Sequence, residues 1–308
     1  MIAALPGLRS SRELIDLRRA GVGGACLTRR ALLAGCLAGL LSGCASEGVV
    51  DPQGPVASAE RLILMNSTAI MLCVVLPVIV LTFAFAWRYR SGNHRAAYTP
   101  DWGYSGKIEL VVWSIPAMVV ILLSGVSWIG SHRLDPAAPL PASSPPLTIE
   151  VVALDWKWLF IYPDQHVAAL NEVTVPVGTP LSFLITSGTV MTAFFVPQLG
   201  SQIYAMPGMA SRLNLLASAP GHYAGFAAHF SGDGFSDMRF TVHALPEPQY
   251  LAWLRETAEG GEVLDATRYD ALARARATAP AQTFRAVPAG LFAHAVGLST
   301  HVDEQGTH

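Results

Sequence analysis

Two stretches of the chain, Leu62 to Trp87 and Leu110 to Ser131, contain no charged residue. About 20 apolar residues rising 1.5 Å each cross a hydrocarbon core, so each stretch is long enough to span a membrane. Lipid offers backbone groups no hydrogen-bond partner, which restricts such runs to helices. Pro77 and Pro116 fall inside the two runs, where a helix bundle tolerates them because neighbouring groups satisfy the freed carbonyls. The segment between the runs, RYRSGNHRAAYTPDWGYSGK, sets Arg88, Arg90, Arg95 and Lys107 against one acid, Asp101. The excess of positive charge predicts a cytoplasmic loop, with both flanks of the hairpin outside. Trp87, Trp113 and Trp128 near the span ends read as interfacial anchors.

Composition agrees with a chain held partly in lipid. Residues are 52% hydrophobic and 14% charged, with mean hydropathy +0.40, against about 25% charged for soluble domains. A net charge of −2 without a basic stripe argues against a nucleic-acid partner.

The N-terminus reads as an address. Arg29 and Arg30 precede the uncharged run ALLAGCLAGLLSG, which ends at Cys44. A basic start, an apolar core and small residues before a cut describe an export signal. Leu41-Ser42-Gly43-Cys44 resembles a lipobox, which predicts a lipoprotein-type signal over 1–43, a lipidated Cys44 and an external segment over 44–61. All four cysteines (Cys26, Cys36, Cys44, Cys73) precede residue 74. The remainder therefore has neither a disulfide framework nor a thiolate metal site.

After the hairpin (62–131) comes the proline-rich stretch 132–146, which predicts a stiff extended linker. From residue 147 the pattern changes to period two. LTIEVVAL, LSFLITSG, SRLNLL and MRFTVH are short alternating runs separated by Pro and Gly turns, which predict a β-sandwich or Greek-key barrel over 147–245. Leu181, Phe183 and Ile185 would point inward, as would Met238, Phe240 and Val242. Residues 246–308 turn helical in composition, in EPQYLAWLRETA and RYDALARARA, and end in a polar tail from Ser299.

These residues, in this order, resemble subunit II of the haem–copper terminal oxidases. WKWLFIYP, FFVPQLGSQIYAMPGM and the loop GHYAGFAAHFSGDGFSDM are similar especially to the quinol-oxidising branch, the cytochrome bo-type ubiquinol oxidases. The resemblance implies an α+β membrane protein, a transmembrane hairpin followed by a cupredoxin-like domain and a short helical C-terminal region. In the cytochrome c-oxidising branch the loop carries Cys-x3-Cys-x3-His-x2-Met, with a further His on an earlier strand. Those positions become Ala227, Ser231, Phe235, Met238 and Thr192 here. A mixed-valence copper pair needs bridging thiolates, so no metal is expected in this chain. Phe226, Phe230 and Phe235 are expected to fill the space. His222 and His229 flank the loop as ordinary surface residues, while Trp156 and Trp158 are expected to serve packing or docking.

Glu109 opens the second run, in KIELVVWSIP. Read alone, it is an acid favoured by a helix N-terminus. The resemblance adds a second role, an acid that collects protons at the cytoplasmic mouth of a channel in subunit I.

The implied complex reduces O2 to water with ubiquinol and translocates protons in a bacterial inner membrane. Its haems and its copper would lie in subunit I, with subunits III and IV and membrane lipids as further partners. Other readings stay open, namely a copper-bearing cytochrome c oxidase subunit, a membrane-anchored adaptor lipoprotein outside any oxidase, and a menaquinol-oxidising variant.

Overall fold

The computed structural model describes residues 48–97, 99–141 and 144–297. Cys44 and the polar tail from Ser299 lie outside the described residues. Two long helices come first, α1 (Pro55–Arg88) and α2 (Gly106–Arg133). Both run through their internal prolines. The helices pass each other closely where Gly130 of α2 meets the side chain of Ile63, a distance at which a Cβ would have to push that side chain aside.

α1 starts seven residues before the charge-free run, because its first turns belong to the extramembrane domain. Its 34 residues rise about 51 Å, against a hydrocarbon core of about 30 Å. Ala57 is fully buried, and its amide donates to the Leu199 carbonyl at 3.3 Å. The Gln53 amide donates to Gln198 (2.7 Å), and the Gln53 carbonyl accepts from the Ser218 amide (2.8 Å). Ser201 Oγ donates to Glu60 Oε1. Gly54 fits this seam because a Cβ there would overlap the Leu216 carbonyl.

The strands are β1 (Leu147–Leu154), β2 (Lys157–Tyr162), β3 (Val167–Leu170), β4 (Glu172–Pro176), β5 (Pro180–Ser187), β6 (Thr192–Phe195), β7 (Ile203–Ala205), β8 (Ser211–Leu216), β9 (Gly221–Ala227) and β10 (Arg239–Leu245). After them come α3 (Glu247–Gly260), β11 (Glu262–Val263), α4 (Ala266–Arg274) and β12 (Gln282–Arg285). A seven-stranded sheet has the order β11-β12-β3-β2-β1-β5-β8, and a five-stranded sheet the order β4-β10-β9-β6-β7. They face each other as a sandwich with crossed connections, β1 running parallel to β5 and β10 parallel to β4.

Period-two patterning builds the core between the sheets. Leu181, Phe183 and Ile185 of β5 point in, as do Met238, Phe240 and Val242. The Trp158 ring meets Phe194 and Phe240 edge-on at 5.4 and 5.6 Å, while Phe194 and Phe240 stack at 4.9 Å. Gly225, paired directly with Phe240, leaves room for that ring. Tyr162 ties the sheets together, its hydroxyl donating to the Thr174 carbonyl (2.9 Å) and accepting from the Thr174 amide (2.8 Å).

β2 is buried on both faces. Its second face lies under the C-terminal region, where Val152, Leu159 and Ile161 pack with Tyr269, Phe284 and Leu291. The two expected helices form as α3 and α4, but a helical description of this region is incomplete. β12 extends the sheet by pairing antiparallel with β3, from Gln282 opposite Leu170 to Arg285 opposite Val167. In QTFR only Phe284 is fully buried, so the strand is specified by the edge it joins rather than by its own pattern.

Lys157 fastens this region. It is 1% exposed, and its ammonium donates to the carbonyls of Asp155 (3.0 Å), Ala275 (2.5 Å) and Ala277 (3.2 Å). Three donors meet three acceptors, the condition for burying an ammonium group. Asn171 Nδ2 holds the next turn through the Ala279 carbonyl at 2.6 Å. Arg276 pairs with Asp155 at 3.3 Å.

Candidate functional site

The loop that resembles a metal loop joins β9 to β10 at one end of the sandwich. The structure brings Thr192, Ser231 and Met238 around one small cavity with Trp156. Thr192 opens β6, and its hydroxyl reaches the His229 carbonyl at 3.5 Å. Ala227 closes β9, its amide donating to the Met238 carbonyl at 3.0 Å. Phe235 starts a short 3-10 turn and packs on the edge of the core. Thr192, Ala227 and Met238 are buried.

The three phenylalanines do not jointly fill this space. Phe230 is 71% exposed. Phe226 lies on the outer face of its sheet, edge-on to Phe195 at 5.4 Å. Only Phe235 packs against the core. The filler is Trp156, which occupies the two-residue turn between β1 and β2 with φ +58°, a left-handed conformation that costs most side chains about 1 kcal/mol or more. Its indole lies against the Gly232-Asp233-Gly234 turn, and a Cβ on Gly234 would overlap the ring carbons. The expected packing role of Trp156 and Trp158 therefore divides. Trp158 is wholly enclosed in the core and Trp156 is half-buried at the loop.

The cavity that remains, about 10 Å³, is at the lower limit for a single water. Among the described residues, Ser231 Oγ and Trp156 Nε1 are buried without a hydrogen-bond partner, and both residues line it. A copper pair does not fit these residues. Thiolates would be needed to bridge two ions, and the positions offer two neutral hydroxyls, a methyl, a phenyl ring and one thioether. Among the described residues no three His, Cys, Asp or Glu side chains are placed to share a metal ion.

The two histidines flanking the loop do not meet. His229 sits edge-on to Tyr204 at 5.9 Å. His222 instead lies beside His243, its direct cross-strand partner, with the two Nδ1 atoms 2.7 Å apart. Glu172 stands 3.8 Å from His243 Nε2. Burial and the neighbouring His222 push the His243 imidazole below its ordinary range, and burial pushes the Glu172 carboxyl up. Sequence reading missed this pair because 21 residues separate its members and only the β9–β10 register joins them.

Glu109 lies in the first turn of α2, after the N-cap Ser105, and is exposed. Two roles stay compatible with that place, a favourable interaction with the helix dipole and exchange of protons with water.

Residues 163–245 match the family model described as cytochrome C oxidase subunit II, periplasmic domain. The chain is 46% identical over 255 residues to ubiquinol oxidase subunit 2 of Acetobacter aceti, covering 82% of each protein. It is 43% identical over 262 residues to cytochrome bo(3) ubiquinol oxidase subunit 2 of Pseudomonas aeruginosa, covering 85% of this chain and 79% of the relative. Quinol oxidase subunit 2 of Bacillus subtilis is 34% identical over 235 residues, covering 76% of this chain and 73% of the relative. With two helices long and apolar enough to span a membrane, a cupredoxin-like domain and these relatives along most of its length, the chain belongs to the family of ubiquinol oxidase subunit 2 proteins.

Proposed function

We propose that this chain is the structural, non-redox subunit II of a proton-translocating ubiquinol oxidase of the cytochrome bo type, which reduces O2 to water in a bacterial inner membrane. The observation that carries the reading is the replacement of every sulfur-bridging position of the loop by a non-ligand, in a chain alike to ubiquinol oxidase subunits over 82% of its length. An electron donor already dissolved in the membrane needs no relay outside it. Haems and copper then belong to subunit I, and subunits III and IV complete the assembly.

In this reading the hairpin binds subunit I within the lipid, with its basic loop in the cytoplasm, and Cys44 adds a lipid anchor outside. The loop end of the sandwich faces the partner. Val190, Met191, Tyr204 and Phe230 are exposed there, joined by the β6–β7 pairing and the Tyr204–His229 contact. Such clustered exposed apolar side chains mark contact surfaces, and Val190 shares the small cavity with Trp156.

Glu109 is assigned to collecting protons at the cytoplasmic surface for subunit I. An ionisable group at the membrane boundary can trade protons with water and with a narrow channel. Purifying the tagged chain from membranes tests the first reading. A haem-rich complex with a reduced-minus-oxidised spectrum should accompany it, and the chain emerging alone would refute it. In that complex, Glu109→Gln is expected to slow turnover and proton uptake several-fold. Unchanged proton uptake would leave the acid only its place at the helix start.

A further inference from the structure

We propose that His222 and His243 form a binding site for one divalent transition-metal ion of the zinc class on the outer face of the five-stranded sheet, with Glu172 as the group that orients His243. The site lies apart from the metal-loop positions and draws on none of them.

Register creates it. His222 of β9 and His243 of β10 are direct partners in an antiparallel pair, so their side chains leave the same face side by side. Both project outward, since Tyr223, Val242 and Ala244 beside them are buried. The next outward pair is Ala224 and Thr241, two small residues that leave space above the sheet. The Nδ1 atoms are 2.7 Å apart. Two imidazole nitrogens on one tetrahedral zinc ion, each about 2.0–2.1 Å from it, stand about 3.3 Å apart. The partly exposed rings would part by about 0.6 Å to convert the contact into a chelate.

Glu172 supplies what a histidine ligand commonly has behind it. A metal-bound imidazole usually gives its other N–H to a carboxylate, which fixes the tautomer and ring plane. Glu172 Oε2 lies 3.8 Å from His243 Nε2, the nitrogen turned away from His222. Closing that gap by about 0.8 Å, to hydrogen-bond distance, would let Glu172 accept the Nε2 proton and leave the Nδ1 lone pair of His243 facing His222. The side chains of His243 and Glu172 are 28% and 24% exposed, so an ion can arrive from solvent and keep water in its remaining positions. Imidazole nitrogen suits Zn, Cu and Ni, with preference following the divalent series.

The test uses the full-length chain in detergent, purified without a polyhistidine tag. Calorimetric titration with Zn2+ at neutral pH is expected to show one ion per chain in the micromolar range. Binding should weaken about tenfold or more in His222→Asn and in His243→Asn. Glu172→Gln should weaken it by about tenfold, the usual loss when an orienting partner is removed. His229→Asn should leave it unchanged. As a second reading on the unaltered chain, the Cu2+ electron paramagnetic resonance spectrum should carry hyperfine structure from two nitrogens. Zinc affinity identical in the chain and both histidine variants would overturn the proposal. So would absence of uptake, or a copper signal without two nitrogens, and the contact would then be a hydrogen bond between two neutral rings.

Discussion

Gly234→Ala is expected to destabilise the extramembrane domain by about 3 kcal/mol, the upper part of the range for forcing extra volume into a packed site. The added methyl would overlap the carbons of the Trp156 indole. That ring cannot retreat freely, because it is carried on a two-residue turn in a left-handed conformation and closed over by the loop. Unfolding of the detergent-solubilised chain, followed by tryptophan fluorescence, gives the measurement. In a Trp156→Gly background the same substitution should cost little, since nothing then occupies the space, and glycine also relieves the left-handed turn. An equal cost in both backgrounds would show that Trp156 is not what demands a glycine at 234.

Lys157→Met should release the C-terminal region. Methionine keeps much of the apolar stem and deletes the ammonium, leaving the carbonyls of Asp155, Ala275 and Ala277 without their donor. Losing the bonds from a charged donor to these part-buried carbonyls costs about 2 kcal/mol. The loss should be local, appearing as faster hydrogen exchange and faster proteolysis between residues 275 and 297, while β5, β9 and β10 keep their protection. Lys157→Arg should not restore the fastening, because a planar fork cannot reach three carbonyls arranged for a tetrahedral ammonium. Protection of 275–297 equal to that of the unaltered chain would mean that apolar packing around Phe284 and Tyr269 holds the region unaided.

Strong periodicity made much of the fold legible in the sequence. The charge-free runs fixed both helices, and alternation in LSFLITS and MRFTVH told which side chains face the core, because a buried sheet face imposes period two. What escaped reading was set by distant partners. α1 begins at Pro55 rather than near Leu62 because residues 53–57 bond to the loop around Leu199 and to Ser218. β12 exists because β3 offers an edge. The filling of the loop was misjudged for the same reason. Phe226, Phe230 and Phe235 are near the metal-loop positions along the chain, whereas Trp156 reaches them from another turn of the fold. Gly234 was the available signal, since close approach by a bulky group is one reason for a turn to carry a glycine, whereas Gly232 answers to its positive φ. Absence of thiolates in the loop, by contrast, needed no structure.

The central claim is that electrons do not pass through this chain, and the electron donor of the native complex tests it most directly. Oxygen uptake by the purified assembly should be supported by ubiquinol and should not be supported by reduced soluble cytochrome c. Rapid oxidation of soluble cytochrome c, lost when Trp156 or the loop from Ala227 to Met238 is altered, would contradict the account.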